Sequence, residues 1–159
     1  MGIWRDIYIE EVNGARIQNV QIRQQNEEEV SHLSVILKNE VMQSDAARMI
    51  AECRVYDPEG KELAIQTADA KETQTFSIEI KNPERWWPNG YGEQKLYRVC
   101  VSLKGVNQII QEESIRFGIR DFTVVRRPDE WGAGFTFCIN GMEIFAKGAN
   151  YIPEDSIFG

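Results

Sequence analysis

The chain has 159 residues, 42% of them hydrophobic, 10% aromatic and 27% charged, and 25 acidic against 18 basic side chains leave a formal charge of −7. A domain of this size buries roughly two thirds of the surface its unfolded chain exposes and needs no metal or disulfide staple, whereas a (β/α)8 barrel of about 250 residues does not fit. The acidic balance without a Lys/Arg block argues against nucleic acid or an anionic membrane as partner, and no window approaches the roughly 20 uninterrupted apolar residues of a membrane span. Met1 to Asp6 lacks the basic-then-apolar pattern of a signal peptide, so a soluble chain is expected.

Taken in chain order, the elements alternate with period two, and helical spacing is nearly absent. Residues 1 to about 12 read as an isolated strand ahead of Asn13-Gly14. Val20 with Ile22 opens the central strands, and Leu33, Val35 and Leu37 form the next. Between Val41 and Ala51, Ala46, Ala47, Met49 and Ile50 have good helix propensity, but a loop followed by a strand alternating from Met49 to Val55 is the favoured reading. Leu63, Ile65 and Thr67 then share one face, as do Phe76, Ile78 and Ile80, since successive strand residues point to opposite sides. Tyr97, Val99, Val101 and Leu103, and then Ile115, Phe117 and Ile119, complete about seven central strands. The expected fold is therefore all-β, an immunoglobulin-like antiparallel β-sandwich.

Two breaks carry turn chemistry. Asp57-Pro58-Glu59-Gly60 suits a type I turn joining two strands, with Pro second and Gly fourth. Asn140-Gly141, between Phe135 to Ile139 and Met142 to Lys147, tolerates the positive φ angles of a two-residue type I′ loop. The cysteines, Cys53, Cys100 and Cys138, are odd in number and form no CxxC, so they read as buried free thiols of a reducing, cytoplasmic compartment; a Cys53–Cys100 bridge between neighbouring strands is the one pairing to weigh. The only histidine, His32, rules out a multi-His metal site and reads as a core or surface residue.

Four segments in order carry a resemblance: Gly2-Ile3-Trp4-Arg5-Asp6-Ile7; Trp86-Trp87-Pro88-Asn89-Gly90-Tyr91-Gly92 with Gln94 and Leu96-Tyr97; Phe117-Gly118-Ile119-Arg120; and Phe137-Cys138-Ile139-Asn140-Gly141 running on to Lys147-Gly148-Ala149-Asn150-Tyr151-Ile152-Pro153-Glu154-Asp155. Together they resemble glycoside hydrolase family 2 in its β-mannosidase-like branch. The resemblance implies three parts: residues 1–12 as the last strand of a sugar-binding jelly-roll domain, 13–126 as the sandwich, and 127–159 as the leading hairpin and first strand of a catalytic (β/α)8 barrel that is itself missing. The parent enzyme is expected to release terminal β-mannosyl residues with retention, without metal or cofactor, and this piece alone is expected to be inactive. Its partners are then the jelly-roll and barrel domains of the same polypeptide, with a β-linked sugar bound in the intact enzyme.

Retaining glycosidases need two carboxylates about 5 Å apart. Asn26-Glu27 and Asn39-Glu40 mimic the family's Asn-Glu acid/base pair, but both precede the barrel-like sequence, so no catalytic residue is assigned here. If Lys147 ends the first barrel strand, Asn150, Tyr151 and Asp155 lie at the sugar-facing mouth of the intact enzyme, Tyr151 stacking on a pyranose and Asp155 accepting from hydroxyls. Without the barrel, this C-terminal stretch is expected to fray. Trp86, Trp87 and Tyr91 read as a corner packed by aromatic rings rather than a sugar platform, and an exposed corner would drive homo-oligomerisation. The alternative from another class is a free-standing carbohydrate-binding or adhesion module.

Overall fold

The computed structural model describes residues 6–9, 12, 14–41, 49–106 and 108–152. Among these every regular element is a strand: β1 (Ala15–Asn26), β2 (Val30–Val41), β3 (Ile50–Tyr56), β4 (Glu62–Asp69), β5 (Thr73–Lys81), β6 (Tyr97–Lys104), β7 (Ile109–Phe117), β8 (Phe122–Val125), β9 (Pro128–Asp129), β10 (Gly132–Ala133), β11 (Thr136–Ile139) and β12 (Met142–Ile144). The first seven build two antiparallel sheets, ordered β1-β2-β5 and β4-β3-β6-β7. Their inward faces close one core. Leu33, Val35 and Leu37 of β2 and Phe76, Ile78 and Ile80 of β5 share it with Ala51, Cys53 and Val55 of β3 and Val99, Val101 and Leu103 of β6. Full burial of such a side chain stabilises by about 1.5–3 kcal/mol relative to exposure, which is why alternation fixes which face of each strand turns inward.

Both expected turns form. Gly60 donates its N–H to the Asp57 carbonyl at 3.0 Å, with φ +89° at Gly60, closing the link from β3 to β4. Asn140 and Gly141 both take positive φ, 49° and 82°, between β11 and β12.

Two expectations change, and one alternative, the Cys53–Cys100 bridge, falls away. Leu63 and Ile65 are 41% and 48% exposed, while Ala64 and Gln66 take the half-buried positions; β4 is an edge strand, and a bulge at Val55/Tyr56 sets its register. Cys53 and Cys100 lie on paired strands but on opposite faces, because Cys53 pairs with Val101 in the core and Cys100 with Arg54 on the outside, so all three thiols are free. Residues 6–9 are exposed and outside any strand, consistent with the marginal stability of a strand that has no partner. The remainder of the leading segment, residues 1–5, 10, 11 and 13, and the helix-or-loop choice at 42–48 lie outside the described residues.

A second, smaller unit follows the sandwich. β12, β11 and β8 form a three-stranded antiparallel sheet in that order, and β9 with β10 forms a short ribbon. β8, from the 13–126 span, thus pairs with β11 from the 127–159 span.

Candidate functional site

The corner at residues 86–92 is where the sandwich meets the small sheet. Trp86 is fixed through its backbone: its N–H donates to the Ile119 carbonyl at 2.9 Å and it forms an isolated bridge with Gln94. Its ring fills the space above Gly118, and the Arg120 guanidinium covers it at 4.5 Å. Trp87, the next residue, packs instead over Gly92, as expected for consecutive side chains on extended backbone. Neither indole is an open platform for a sugar, and Trp86, Trp87 and Tyr91 are all half-buried rather than exposed. The exposed-corner premise for homo-oligomerisation is corrected accordingly.

Lys95 braces the corner from behind, reaching Glu59 at 2.9 Å, Glu84 at 3.0 Å and Glu93 at 3.5 Å. Its ammonium is held above the usual lysine range, first by the hydrogen bond to Glu59 and then by that to Glu84.

From this corner a chain of polar contacts runs into the small sheet. Asn140 is its centre. Its N–H donates to the Asp121 carbonyl at 3.0 Å, its Oδ1 accepts from the Asp121 N–H at 2.9 Å, and its Nδ2 donates to the Trp86 carbonyl at 3.0 Å. The Phe145 N–H donates to the Tyr91 hydroxyl at 2.9 Å. On the sandwich side, Asn26 Nδ2 donates to Asp121 Oδ1 at 2.9 Å and to the Arg120 carbonyl at 3.1 Å. Gln24 accepts from the Arg120 N–H at 3.0 Å and donates to the Gly118 carbonyl at 3.2 Å. Arg85 donates to the Glu27 carbonyl and lies 3.8 Å from the Asp121 carboxylate. Three segments far apart in sequence are thus joined at one point, with the side-chain amide of Asn140 between them.

In the sequence Asn140 stands out as a turn residue and as part of the Phe137 to Gly141 resemblance segment, and Asn26 only as half of a misleading Asn-Glu pair; neither signal points to these contacts. Arg85, Gln24 and Asp121 carried no motif. The one available signal was the intervals between Trp86, Gly118 and Asn140, whose proximity depends on the strand pairing. The other Asn-Glu pair is also structural: buried Asn39 donates to the Lys71 carbonyl at 2.9 Å, and Glu40 pairs with Arg16 at 2.7 Å. The Arg16 hydrogen bond holds the Glu40 carboxyl below its ordinary range.

Two open clefts lie along the small sheet, the first of them against the corner. One, of about 430 Å³, lies between residues 88–91 and 144–147; the other, of about 360 Å³, lies between residues 135–137 and 143–146. Their single carboxylate is Glu143, which pairs with Arg127. Asn150 and Tyr151 are exposed in a stretch without regular structure and line neither cleft, while Asp155 lies outside the described residues. The expectation of a frayed C-terminus likewise falls largely on residues 153–159, outside the described residues. His32 is half-exposed, 3.9 Å from Glu27, and no cluster of three or more potential metal ligands occurs among the described residues.

The model of glycosyl hydrolases family 2 matches residues 15–120. Beta-mannosidase B of Neosartorya fischeri is 33% identical over 160 residues, which takes in 98% of this chain and 18% of that protein. The β-D-mannosidase structure from Dictyoglomus thermophilum superposes with a TM-score of 0.80 at 30% identity, over 92% of this chain and 18% of that one. A Parabacteroides merdae β-glucuronidase shares the fold, with a TM-score of 0.69 at 18% identity over 85% of this chain and 16% of its own. The chain therefore spans about a fifth of the length of the relatives it matches.

Proposed function

The chain belongs to glycosyl hydrolases family 2, and from that membership we propose that it is the non-catalytic linking sandwich of a β-mannosidase-like retaining exo-glycosidase, holding the catalytic part of the same polypeptide in place. The observation that carries the reading is coverage: 98% of the chain aligns with a β-mannosidase B, yet it accounts for only 18% of that protein. The polar seam at Asn140 supports a role in orientation, because it ties the sandwich to the sheet that follows it. The two clefts along the small sheet contribute one carboxylate, Glu143, and retention needs two about 5 Å apart. The three free thiols support a reducing compartment such as the cytoplasm.

Incubating the purified chain with a nitrophenyl β-mannoside tests the non-catalytic role. No release of nitrophenol is expected, and turnover by the chain alone overturns the proposal. Affinity electrophoresis in mannan separates the linker from a carbohydrate-binding module: unretarded migration is expected, and retardation moves the function to sugar binding.

A further inference from the structure

Asparagine carries a thermally labile amide, most of all before glycine, which has no Cβ to hinder its nitrogen from attacking the neighbouring side chain. The sequence holds three Asn-Gly pairs, at 13–14, 89–90 and 140–141. The last two lie among the described residues, and both belong to the junction of the sandwich with the small sheet. Their nucleophiles match. Gly90 and Gly141 take positive φ, 87° and 82°, a Cβ placed on either would meet nothing within 4 Å, and neither backbone N–H is engaged among the described residues. Their electrophiles do not. The Asn140 amide is held at both ends, Oδ1 by the Asp121 N–H at 2.9 Å and Nδ2 by the Trp86 carbonyl at 3.0 Å. The Asn89 amide is exposed and hydrogen-bonded to no described residue.

We propose that Asn89-Gly90 is a site of self-modification by deamidation in the folded chain, and that the seam protects the chemically equal Asn140-Gly141 until it opens. The Gly90 nitrogen attacks Cγ of Asn89 and forms a C–N bond; its proton passes to the departing amide nitrogen, which leaves as ammonia. Water then opens the succinimide at either carbonyl, its hydroxyl going to that carbon and its proton to the ring nitrogen. Opening at the side-chain carbonyl gives isoaspartate or aspartate according to which C–N bond breaks: aspartate keeps the original main chain, and isoaspartate carries the main chain through the extra methylene. At Asn140 the same attack requires Cγ to swing towards Gly141, which breaks both amide hydrogen bonds and leaves the Trp86 carbonyl and the Asp121 N–H without them. Losing two such bonds slows the reaction there by about tenfold or more relative to Asn89.

Conversion at Asn89 acts on the junction through Tyr91. The turn from Pro88 to Tyr91 is closed by the Tyr91 N–H on the Pro88 carbonyl at 3.0 Å, and the Tyr91 hydroxyl accepts from the Phe145 N–H at 2.9 Å. A methylene added between residues 89 and 90 lengthens that turn and withdraws the hydroxyl from Phe145. The new carboxylate also adds a negative charge to a chain already at −7. Ageing thus loosens the corner at Phe145 while its tie at Asn140 stays closed.

The test incubates the 159-residue chain in mildly alkaline buffer, native and in urea, and follows each Asn-Gly peptide by mass spectrometry with fragmentation that separates aspartate from isoaspartate. In the native chain Asn89 is expected to convert about tenfold or more faster than Asn140, and in urea the two rates converge. Hydrogen exchange at the Phe145 amide is expected to quicken as the unaltered chain ages and to stay constant in Asn89→Gln. Asn89 that stays intact in the native chain overturns the site. Equal native rates at Asn89 and Asn140 overturn the protection by the seam. Phe145 exchange that is unchanged in a converted chain, or that quickens equally in Asn89→Gln, overturns the loosening of the corner.

Discussion

Trp86 and Gly118 are in such close contact that a Cβ added to Gly118 would lie 2.5 Å from both Cβ and Cγ of the indole. The indole cannot swing away cheaply, because the Trp86 N–H is bonded to the carbonyl of Ile119, the residue next to that glycine, and Arg120 covers the ring. Gly118→Ala is therefore expected to destabilise the chain by about 1–3 kcal/mol, the usual cost of overpacking. A fall in the urea midpoint together with a red-shifted indole emission checks it; an unchanged midpoint would show that the corner is looser than this contact implies.

Asn140 has two duties, and they can be separated. Glycine at this position keeps the positive φ of the turn but removes both side-chain hydrogen bonds, which are each worth about 0.5–1.5 kcal/mol. Alanine removes them and adds roughly 1–2 kcal/mol for a left-handed backbone. Asn140→Gly is expected to speed amide exchange in residues 122–144 while β2, β3, β5 and β6 stay protected, and Asn140→Ala to be the less stable of the two. Equal protection in the small sheet of Asn140→Gly and the unaltered chain would mean that the side chain bridges nothing of consequence.

On the outer face of the four-stranded sheet, Glu52 sits between Arg54 and Lys104, 2.7 Å from each, with its side chain 10% exposed. Burial pushes its pKa up, but the hydrogen bonds from Arg54 and Lys104 outweigh burial and hold it below the ordinary glutamate value of 4.5. A carboxyl with a depressed folded pKa stabilises the fold above its unfolded pKa, and that contribution is lost as pH falls through the folded value. Glu52→Gln is expected to cost about 1–3 kcal/mol at pH 7, moderated by solvent at the partly exposed cations, and to flatten the loss of stability on acidification below about pH 4.5. Denaturation midpoints from pH 3 to pH 7 check both the size and the slope.

The thiols should differ in reactivity. Burial pushes the Cys53 thiol up to about 12, so almost no thiolate is present near neutrality. Cys100 faces outward beside the Ser114 hydroxyl, 3.6 Å away. Iodoacetamide at pH 8 is expected to modify Cys100 well before Cys53, read by mass spectrometry of peptides, and mild oxidation should leave Cys53 and Cys100 unbridged. A Cys53–Cys100 disulfide in the native chain would contradict the opposite-face register.

Much of the sandwich was legible because β2 and β5 alternate strictly and each side of their sheet has a different environment. Leu33, Val35 and Leu37, and Phe76, Ile78 and Ile80, all go where the pattern sends them. What the pattern cannot supply is phase at an edge or across a bulge. β1 buries Ala15 and Ile17 at odd positions, and after the irregularity between Ile17 and Asn19 it turns Val20 and Ile22 to the core instead; only the second pair stands out in the sequence. β4 misleads in the same way, with small Ala64 inside and larger Leu63 and Ile65 outside. The seam at Asn140 was illegible for a different reason. Its contacts join residues 26, 86, 121 and 140, which become neighbours only once the sheets have formed, and short polar side chains leave no periodic trace.

The pairings of β3 with β6 and of β2 with β5 set how this chain reaches its native state. β1 meets β2, β3 meets β4 and β6 meets β7 as sequence neighbours, so those ribbons can zip locally. The link from Tyr56 to Arg98 can close only across all of β4, β5 and the corner. Such a non-local closure loses chain entropy before its contacts form, and sandwiches dominated by such closures fold in milliseconds to seconds. The hairpins are therefore the early structure, and the two long-range joins, β3 to β6 and β2 to β5, are the steps that commit the molecule to its fold.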